Sequence, residues 1–438
     1  MIAQGRWHAT TYALSLKDSS LSVAINRDDI VACDLAGRLY SVFHDGRHQR
    51  RSLNGAVLQK WASPMGTPSP GTLPVGTTTE RQRRWLTDAE AAEVIDYAAA
   101  QFQQLHTALR SPAWEWVTPL DRSAALDELL SVIERAAHFN NIAARSDAAR
   151  CAEVYQPIGI LPPDQYLALV LQATTGCSFN TCTFCDLYQQ PFRVKSPDEF
   201  RQHIRQVHDY LGASLLLRQR AIFLGAANAL AIPMPRLRAL FEIIHETCHS
   251  EPRRSEESHA GQEEIPRRGA ARNDTPPVYA FLDAFTGTRK SVEDYRALAE
   301  LGLKRVYIGL ESGHDPLLEF VRKPGHAGDA IETVQTIKAA GINVGLIVMI
   351  GLGGDRFAAG HVADTIVVLN QMPLGKGDLI YFSDLVEEPG TPYPTLAQQH
   401  DIHALGAEGR SGQRAALRAG LHAHGVKVSN YDVREFVY

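Results

Sequence analysis

Residues 305–352 have the sequence RVYIGLESGHDPLLEFVRKPGHAGDAIETVQTIKAAGINVGLIVMIGL, in which two apolar runs flank a segment of helical periodicity. The runs, 305–310 and 343–352, are rich in Val and Ile and are typical of buried strands, whereas 327–341 has the pattern of an amphipathic helix. Two apolar strands joined by a helix lie parallel in one sheet, and the helix covers a face of that sheet. The segment therefore predicts a βαβ unit.

The same alternation extends in both directions along the chain. Further apolar runs occur at 166–174, 220–226, 278–285 and 378–383, and further helical segments at 234–248, 291–302 and 358–372. Six strand-then-helix units predict an α/β fold, a partial (β/α)6 TIM-like barrel of parallel strands over residues 151–388. In such barrels the functional side chains collect at the carboxyl ends of the strands.

The segment before the barrel is predicted to be a mixed β and helical region. Short apolar runs with AG, DG and NG turns predict a small β-rich part at 1–62, and the Pro, Gly and Thr content of 63–82 predicts a linker. Residues 83–150 are predicted to be helical, and Thr87 with Glu90 fits a capping box at the first helix.

Two other segments stand apart from the barrel pattern. The charged and polar stretch at 249–277 contains almost no large apolar residues, so it predicts a mobile insertion before the third strand. Residues 389–438 predict a C-terminal extension of helix followed by strand, which would cover the open side of the barrel.

The composition limits the class of protein. The chain has 438 residues, of which 45% are hydrophobic and 21% charged, with a net charge of −5, as is ordinary for a soluble globular protein. The N-terminal sequence lacks the pattern of a secretory signal, and the longest apolar run, 344–354, is too short to span a bilayer. We therefore expect a cytoplasmic protein whose cysteines remain reduced.

Three of the six cysteines lie close together, directly after the first predicted barrel strand. Residues 174–188 have the sequence TTGCSFNTCTFCDLY, so four residues separate Cys177 from Cys182 and two separate Cys182 from Cys185. A structural zinc site normally has four ligands, but the remaining cysteines are scattered along the chain (Cys33, Cys151, Cys248). Three thiolates suit a [4Fe–4S] cluster in which one iron is left open for another ligand. The alternatives are a non-catalytic zinc or electron-transfer protein, or a cluster of buried cysteines without metal.

Over about residues 155–385 the chain resembles the radical S-adenosylmethionine (radical SAM) superfamily. The commonest spacing in that superfamily has three residues between the first two cysteines, so the chain resembles a subgroup with a longer gap, and Phe184 matches the usual aromatic residue before the last cysteine. The resemblance implies that the open iron binds SAM and that its reductive cleavage gives a 5′-deoxyadenosyl radical, which removes hydrogen from an unidentified substrate. It also implies an external one-electron donor of the flavodoxin or ferredoxin type.

The resemblance suggests two places where backbone would contact SAM. After the second strand, relatives often have glycines and an acidic residue for the SAM amino group; here Gly225 and Asn228 would substitute, although a plain turn is the alternative. After the fifth strand, Gly351 and Gly353 would let adenine approach the main chain closely.

The end of the fourth strand suggests side-chain contacts to SAM. Glu311 and Ser312 would hydrogen-bond the ribose or the amino acid part of SAM. Arg322 or Lys323 would pair with the SAM carboxylate through a charge-assisted bond, although a solvated helix end is the alternative for both cations.

Three further residues at strand ends are candidates to meet the substrate, and each also has a structural interpretation. They are Asp283, Tyr381 and Ser383. The sequence indicates no chemical role for His361.

A macromolecular partner is a weaker hypothesis. Arg47, Arg50 and Arg51, together with the arginines at 253–272, would suit RNA or a peptide. The net negative charge argues against nucleic acid without excluding it.

Overall fold

The computed structural model describes residues 1–64, 79–118, 123–188, 190–250, 276–388, 390–422 and 424–438. Most of the predicted linker and of the predicted insertion therefore lies outside the described residues, namely 65–78 and 251–275. The chain divides into two compact units. The first comprises Met1–Pro157, Gln206–Gln219 and Val437–Tyr438, and the second comprises Ile158–Arg205 and Arg220–Phe436.

The first unit contains a nine-stranded antiparallel sheet. Its strands are β1 (Ile2–Trp7), β2 (Thr10–Lys17), β3 (Ser20–Ile25), β4 (Asp29–Asp34), β5 (Leu39–His44), β6 (Arg47–Arg51), β7 (Val57–Pro64), β8 (Thr79–Trp85) and β9 (Trp114–Trp116). They follow the order β8-β7-β6-β5-β4-β3-β2-β1-β9. The helices are α1 (Asp88–Leu109), α2 (Ser123–Ala137) and α3 (Asn141–Val154). Leu14 and Val23 of the sheet share a core with Phe102 of α1.

The predicted mixed β and helical N-terminal region is confirmed, and the sheet extends further than the sequence indicated. β8 begins at Thr79, inside the segment predicted as a linker, because it pairs along its length with β7. β9 lies between two helices and pairs with β1, a partner more than a hundred residues away. The capping box is confirmed, since the Thr87 side chain accepts from Glu90 N–H and the Glu90 carboxylate accepts from Thr87 N–H.

The basic run at 47–51 is a strand of this sheet, in which Arg47 is exposed, Arg50 is half-buried and Arg51 is buried. Arg51 Nη2 donates to Asp147 Oδ2 at 2.8 Å, and Arg38 Nε donates to Asp147 Oδ1 at 2.7 Å. All three side chains are at most 10% exposed, so Arg51 is unavailable to RNA or a peptide. The arginines at 253–272 lie outside the described residues.

The second unit contains the predicted parallel sheet. Its strands are β10 (Leu169–Gln172), β13 (Ile222–Gly225), β14 (Val278–Leu282), β15 (Leu303–Glu311), β16 (Asn343–Ile350), β17 (Leu379–Asp384) and β18 (Lys427–Tyr431), hydrogen-bonded in that order. A separate two-stranded antiparallel sheet of β11 (Thr174–Thr175) and β12 (Arg193–Val194) follows β10, and the loop between these two strands contains the three cysteines. The α/β fold predicted from the six apolar runs is confirmed. The strand of the C-terminal extension joins the sheet as a seventh strand, parallel to β17.

Helices connect these strands. They are α4 (Pro197–Leu211), α5 (Leu215–Arg218), α6 (Met234–Ser250), α7 (Ala284–Gly287), α8 (Val292–Glu300), α9 (Asp315–Phe320), α10 (Ala327–Ala339), α11 (Gly354–Gln371), α12 (Tyr393–Gln399) and α13 (Ala407–Gly420). Within the described part of the chain, no helix has both the length and the apolar composition needed to cross a bilayer.

Asp164 joins alternate strands on the inner side of the curved sheet. Its carboxylate accepts from Tyr307 of β15 at 2.6 Å, from Tyr381 of β17 at 2.7 Å, and from Arg305 at 2.9 Å. Side chains from alternate strands that meet in one layer are typical of a barrel interior. The hydroxyl of Tyr381 therefore donates to a carboxylate in the barrel interior.

Candidate active site

A cavity of about 280 Å³ lies at the carboxyl ends of the parallel strands. All three clustered cysteines line it, as do Asp283 after β14 and Ser383 near the end of β17. Tyr381, two residues before Ser383, is not among the lining residues and lies deeper in the barrel. The cavity is where a barrel of this kind collects its functional groups.

Contacts from α9 and α12 hold the cysteine loop. Thr183 N–H donates to Val321 O at 2.9 Å, and Tyr393 N–H donates to Thr183 O at 2.9 Å. Gly176 has φ +67°, and a Cβ there would meet Gln190 O at 2.0 Å, so only glycine fits where the loop leaves β11. These contacts fix the loop on both sides of Cys182.

The three thiols are partly buried in one cavity. Burial raises the pKa of Cys182 and raises that of Cys185 to about 11, because the thiolate loses its hydration. Of the residues the structure describes, no group of three His, Cys, Asp or Glu is arranged to hold a single metal ion. The lining residues include no further cysteine. This donor set fits a cubane cluster that has three thiolate ligands and one iron without a protein ligand.

Glu311 and Lys323 form a nearly buried ion pair in the cavity wall. Lys323 Nζ lies 3.6 Å from Glu311 Oε1, and the two side chains are 14% and 12% exposed. Burial raises the pKa of the Glu311 carboxyl. Burial also opposes the charge of Lys323, but the neighbouring Glu311 and Cys182 raise the pKa of this ammonium above its usual value. Glu311 Oε2 is buried and has no hydrogen-bond partner among the described atoms.

Arg322 differs from its neighbour. Its side chain is exposed, and it does not line the cavity. The structure therefore brings Lys323, and not Arg322, to the cysteines.

Asn228 connects the cysteine loop to the end of β14. Its Nδ2 donates to Ser178 Oγ at 2.7 Å and also to the Asp283 carboxylate, while its Oδ1 accepts from Asp283 N–H at 3.1 Å. Asn228 is 2% exposed, and its amide is already engaged by protein groups on both sides. Gly225 lies at the end of β13, outside the cavity lining, where its carbonyl accepts from Ala173 N–H at 2.7 Å.

Three more of the predicted SAM contacts, besides Arg322 and Gly225, lie away from the cavity lining. Ser312 is fully buried, and its hydroxyl lies 2.8 Å from Nδ1 of His361 on α11. Gly351 N–H donates to Gln413 Oε1 at 2.7 Å, and Gly353 N–H donates to the Tyr393 hydroxyl at 2.9 Å. The two glycines thus form the turn from β16 into α11.

Phe184 lines the cavity and also packs against the core formed around Leu317 and Tyr393. Ile347 and Met349 of β16 also line the cavity, ahead of the glycines, and were not predicted from the sequence. Asp384, likewise not predicted, lines the cavity and pairs with Arg414. The alternation of side chains along β16 was the available signal for Ile347 and Met349.

Residues 276–361 match the family model described as Radical SAM superfamily, and the matched segment does not include the three cysteines. No curated protein matches the chain in sequence. The similarity to the radical SAM superfamily therefore holds for this segment, which is less than half of the chain.

Three solved structures are similar to parts of this chain. The methyltransferase TsrM from Kitasatospora setae is 16% identical, with a TM-score of 0.37, and the match covers 53% of this chain and 37% of that one. Elp3 from Methanocaldococcus infernus is 12% identical, with a TM-score of 0.37, and the match covers 60% of this chain and 56% of that one. The methylornithine synthase PylB is 10% identical, with a TM-score of 0.34, and the match covers 77% of this chain and 85% of that one. The chain spans about a third of the length of the first structures that it matches.

Proposed function

We propose that Cys177, Cys182 and Cys185 hold one [4Fe–4S] cluster and that the enzyme cleaves SAM reductively beside it. When bound, the reduced cluster and SAM supply methionine and a 5′-deoxyadenosyl radical, which abstracts hydrogen from a substrate that is not identified. The observation that carries this proposal is that three thiols of one loop line the same cavity at the strand ends, in a chain of which residues 276–361 are similar to the radical SAM superfamily.

The nearly buried ion pair supplies groups suited to the amino acid part of SAM. Lys323 donates to the SAM carboxylate, since an ammonium in a poorly hydrated wall forms a strong charge-assisted bond. Glu311 Oε2, which lacks a partner among the described atoms, accepts from the SAM amino group or from a ribose hydroxyl. We keep Phe184 as a contact to SAM, and Asn228 as a residue that shapes the cavity beside it.

The rest of the wall favours radical chemistry by excluding water. Phe281, Ile347, Met349 and Leu385 make most of this surface apolar, so reactive groups inside are shielded from solvent. We propose that the substrate enters on the side of Asp283 and Ser383, which are polar lining residues in this wall.

The proposal also includes conditions outside the chain. A reduced cluster requires an external one-electron donor, for which we propose a protein of the flavodoxin or ferredoxin type. Free thiols that must ligate iron require a reducing compartment, so we propose a cytoplasmic location.

Anaerobic reconstitution with iron and sulfide, followed by chemical reduction and addition of SAM, tests the function. We expect about four iron and four sulfide per chain and formation of 5′-deoxyadenosine, measured by mass spectrometry. A cluster that leaves SAM intact would reject the proposed chemistry. One equivalent of zinc without iron in anaerobically purified protein would instead support a structural metal site.

A further inference from the structure

Glu311 enters the cavity from a backbone conformation that is unfavourable for a residue with a side chain. It has φ +59°, and the pairing of β15 with β16 is irregular between Gly309 and Glu311. A left-handed conformation is unfavourable for a non-glycine residue and persists only where surrounding contacts hold it. The contacts that hold this turn therefore control where the Glu311 carboxylate lies.

Two of these contacts come from one face of α11, and two others lie within the turn, where Ser312 N–H donates to Leu310 O at 2.7 Å and His314 N–H donates to Ser312 Oγ at 3.0 Å. Gly313 N–H donates to Thr365 Oγ1 at 2.8 Å, and Ser312 Oγ lies 2.8 Å from His361 Nδ1. His361 and Thr365 are four residues apart, hence on the same helix face, and both are fully buried. Gly313 permits this close approach, since a Cβ at that position would lie 2.6 Å from Thr365 Cα.

A histidine at position 361 would destabilise the folded protein if its only role were packing. Its Nε2 is buried and has no hydrogen-bond partner among the described atoms, a situation that destabilises a folded protein. Burial, with a smaller effect from His314, lowers the pKa of His361 to about 4, so the imidazole is neutral near pH 7. Its one hydrogen bond within the described structure is the bond from Nδ1 to Ser312.

We propose that His361 is a positioning residue that acts through Ser312 to aim the Glu311 carboxylate at bound SAM. This inference rests on the proposed function, because it assigns Glu311 to the SAM site. It changes the role of Ser312 from a direct ligand contact to a link between α11 and the cavity wall.

His361→Leu and His361→Asn, in the full chain with reconstituted cluster, test the proposal. Leucine fills the site without a polar atom, whereas the Asn side chain places a polar atom near the position of Nδ1. We expect His361→Leu to raise the Kd for SAM about tenfold, as for the loss of one good hydrogen bond, and His361→Asn to raise it less than about twofold. Equilibrium dialysis measures the Kd without turnover.

Val368→Ala is the matched control, because Val368 is a buried residue of α11 that lies beyond these contacts. We expect Val368→Ala to lower the unfolding temperature and to leave the Kd for SAM unchanged. We expect His361→Leu to raise the Kd for SAM, while the electron paramagnetic resonance spectrum of its reduced cluster, recorded without SAM, stays as in the wild type. If His361→Leu binds SAM as tightly as the wild type, or if His361→Asn loses as much affinity for SAM as His361→Leu, the role of His361 is wrong, while the proposed function stands. If cluster-loaded wild-type protein binds no SAM, the proposed function fails, and the inference fails with it.

Discussion

Asn228 donates from Nδ2 to Ser178 Oγ at 2.7 Å, and this bond joins the turn after β13 to the residue next to Cys177. The same amide donates to the Asp283 carboxylate, which in turn accepts from Thr286 N–H at 2.7 Å. The cysteine loop is therefore braced by a partly buried network that reaches the start of α7. The position of any iron ligand on this loop therefore depends on Asn228 and Asp283, which are not proposed as iron ligands.

Asn228→Leu should loosen the cysteine loop. The substitution removes one hydrogen-bond partner from the Ser178 hydroxyl, from the Asp283 carboxylate and from the Asp283 N–H. A polar group that is buried without a partner costs about 1–3 kcal/mol. We expect faster loss of iron to a chelator, followed by absorbance, and a lower midpoint in urea. Thr247→Val, which removes a hydroxyl bonded within α6, is the control and should release iron at the wild-type rate. Equal rates in the two variants would contradict the bracing role.

Replacing any one of Cys177, Cys182 and Cys185 by Ala should abolish stable cluster binding. Two thiolates leave too few attachments for a cubane that already has one open iron. Iron and sulfide content after anaerobic reconstitution measures the effect. Cys33→Ala is the control, because Cys33 lies in the core of the first unit and should leave the iron content unchanged. Full iron content in a Cys182→Ala variant would remove this residue from the ligand set.

Lys323→Met and Arg322→Met should have very different affinities for SAM, although the two cations are neighbours in sequence. Lys323 pairs with Glu311 in the cavity wall, and its loss leaves a buried carboxyl without its counter-charge. We expect at least about a tenfold rise in the Kd for SAM in Lys323→Met, which corresponds to about 1.4 kcal/mol. Arg322 is exposed, and Arg322→Met should bind as the wild type does. The opposite order of affinities would transfer the carboxylate contact to Arg322.

Asp147→Asn should destabilise the first unit. The carboxylate accepts from Arg38 and Arg51, and all three side chains are buried, so a neutral amide leaves two cations poorly compensated. Removal of one partner from a buried ionic group costs about 3–5 kcal/mol, which urea unfolding should detect. The control is Glu115→Gln in the exposed pair with Arg6, which should cost less than about 1 kcal/mol. A loss in Asp147→Asn no greater than in the control would contradict this role.

Much of the fold could be predicted because its signals are local. Each apolar run at 305–310 and 343–352 is a buried strand whose character does not depend on knowing its partner. The capping box of Thr87 and Glu90 is similar, since both residues lie within one helical turn. The triplet of Cys177, Cys182 and Cys185 is compact enough in sequence that its members share one loop in any fold.

Long-range pairing decided the elements that composition did not show. β8 and β9 consist of polar or aromatic residues with no strong strand pattern, and they form strands because β7 and β1 offer free edges. Arg51 belongs to a basic run that suggested a surface, but its position on β6 points its side chain at Asp147.

The sequence by itself determined the class of fold, the cysteine loop and its place after the first barrel strand, because each depends on neighbours along the chain. Only the tertiary structure separated Lys323 from Arg322, placed Ser383 but not Tyr381 in the cavity wall, and turned Ser312 toward His361. The physical reason is that the orientation and depth of a side chain follow from strand register and helix packing, which are set by residues far away in sequence. A residue type and its spacing cannot specify that geometry.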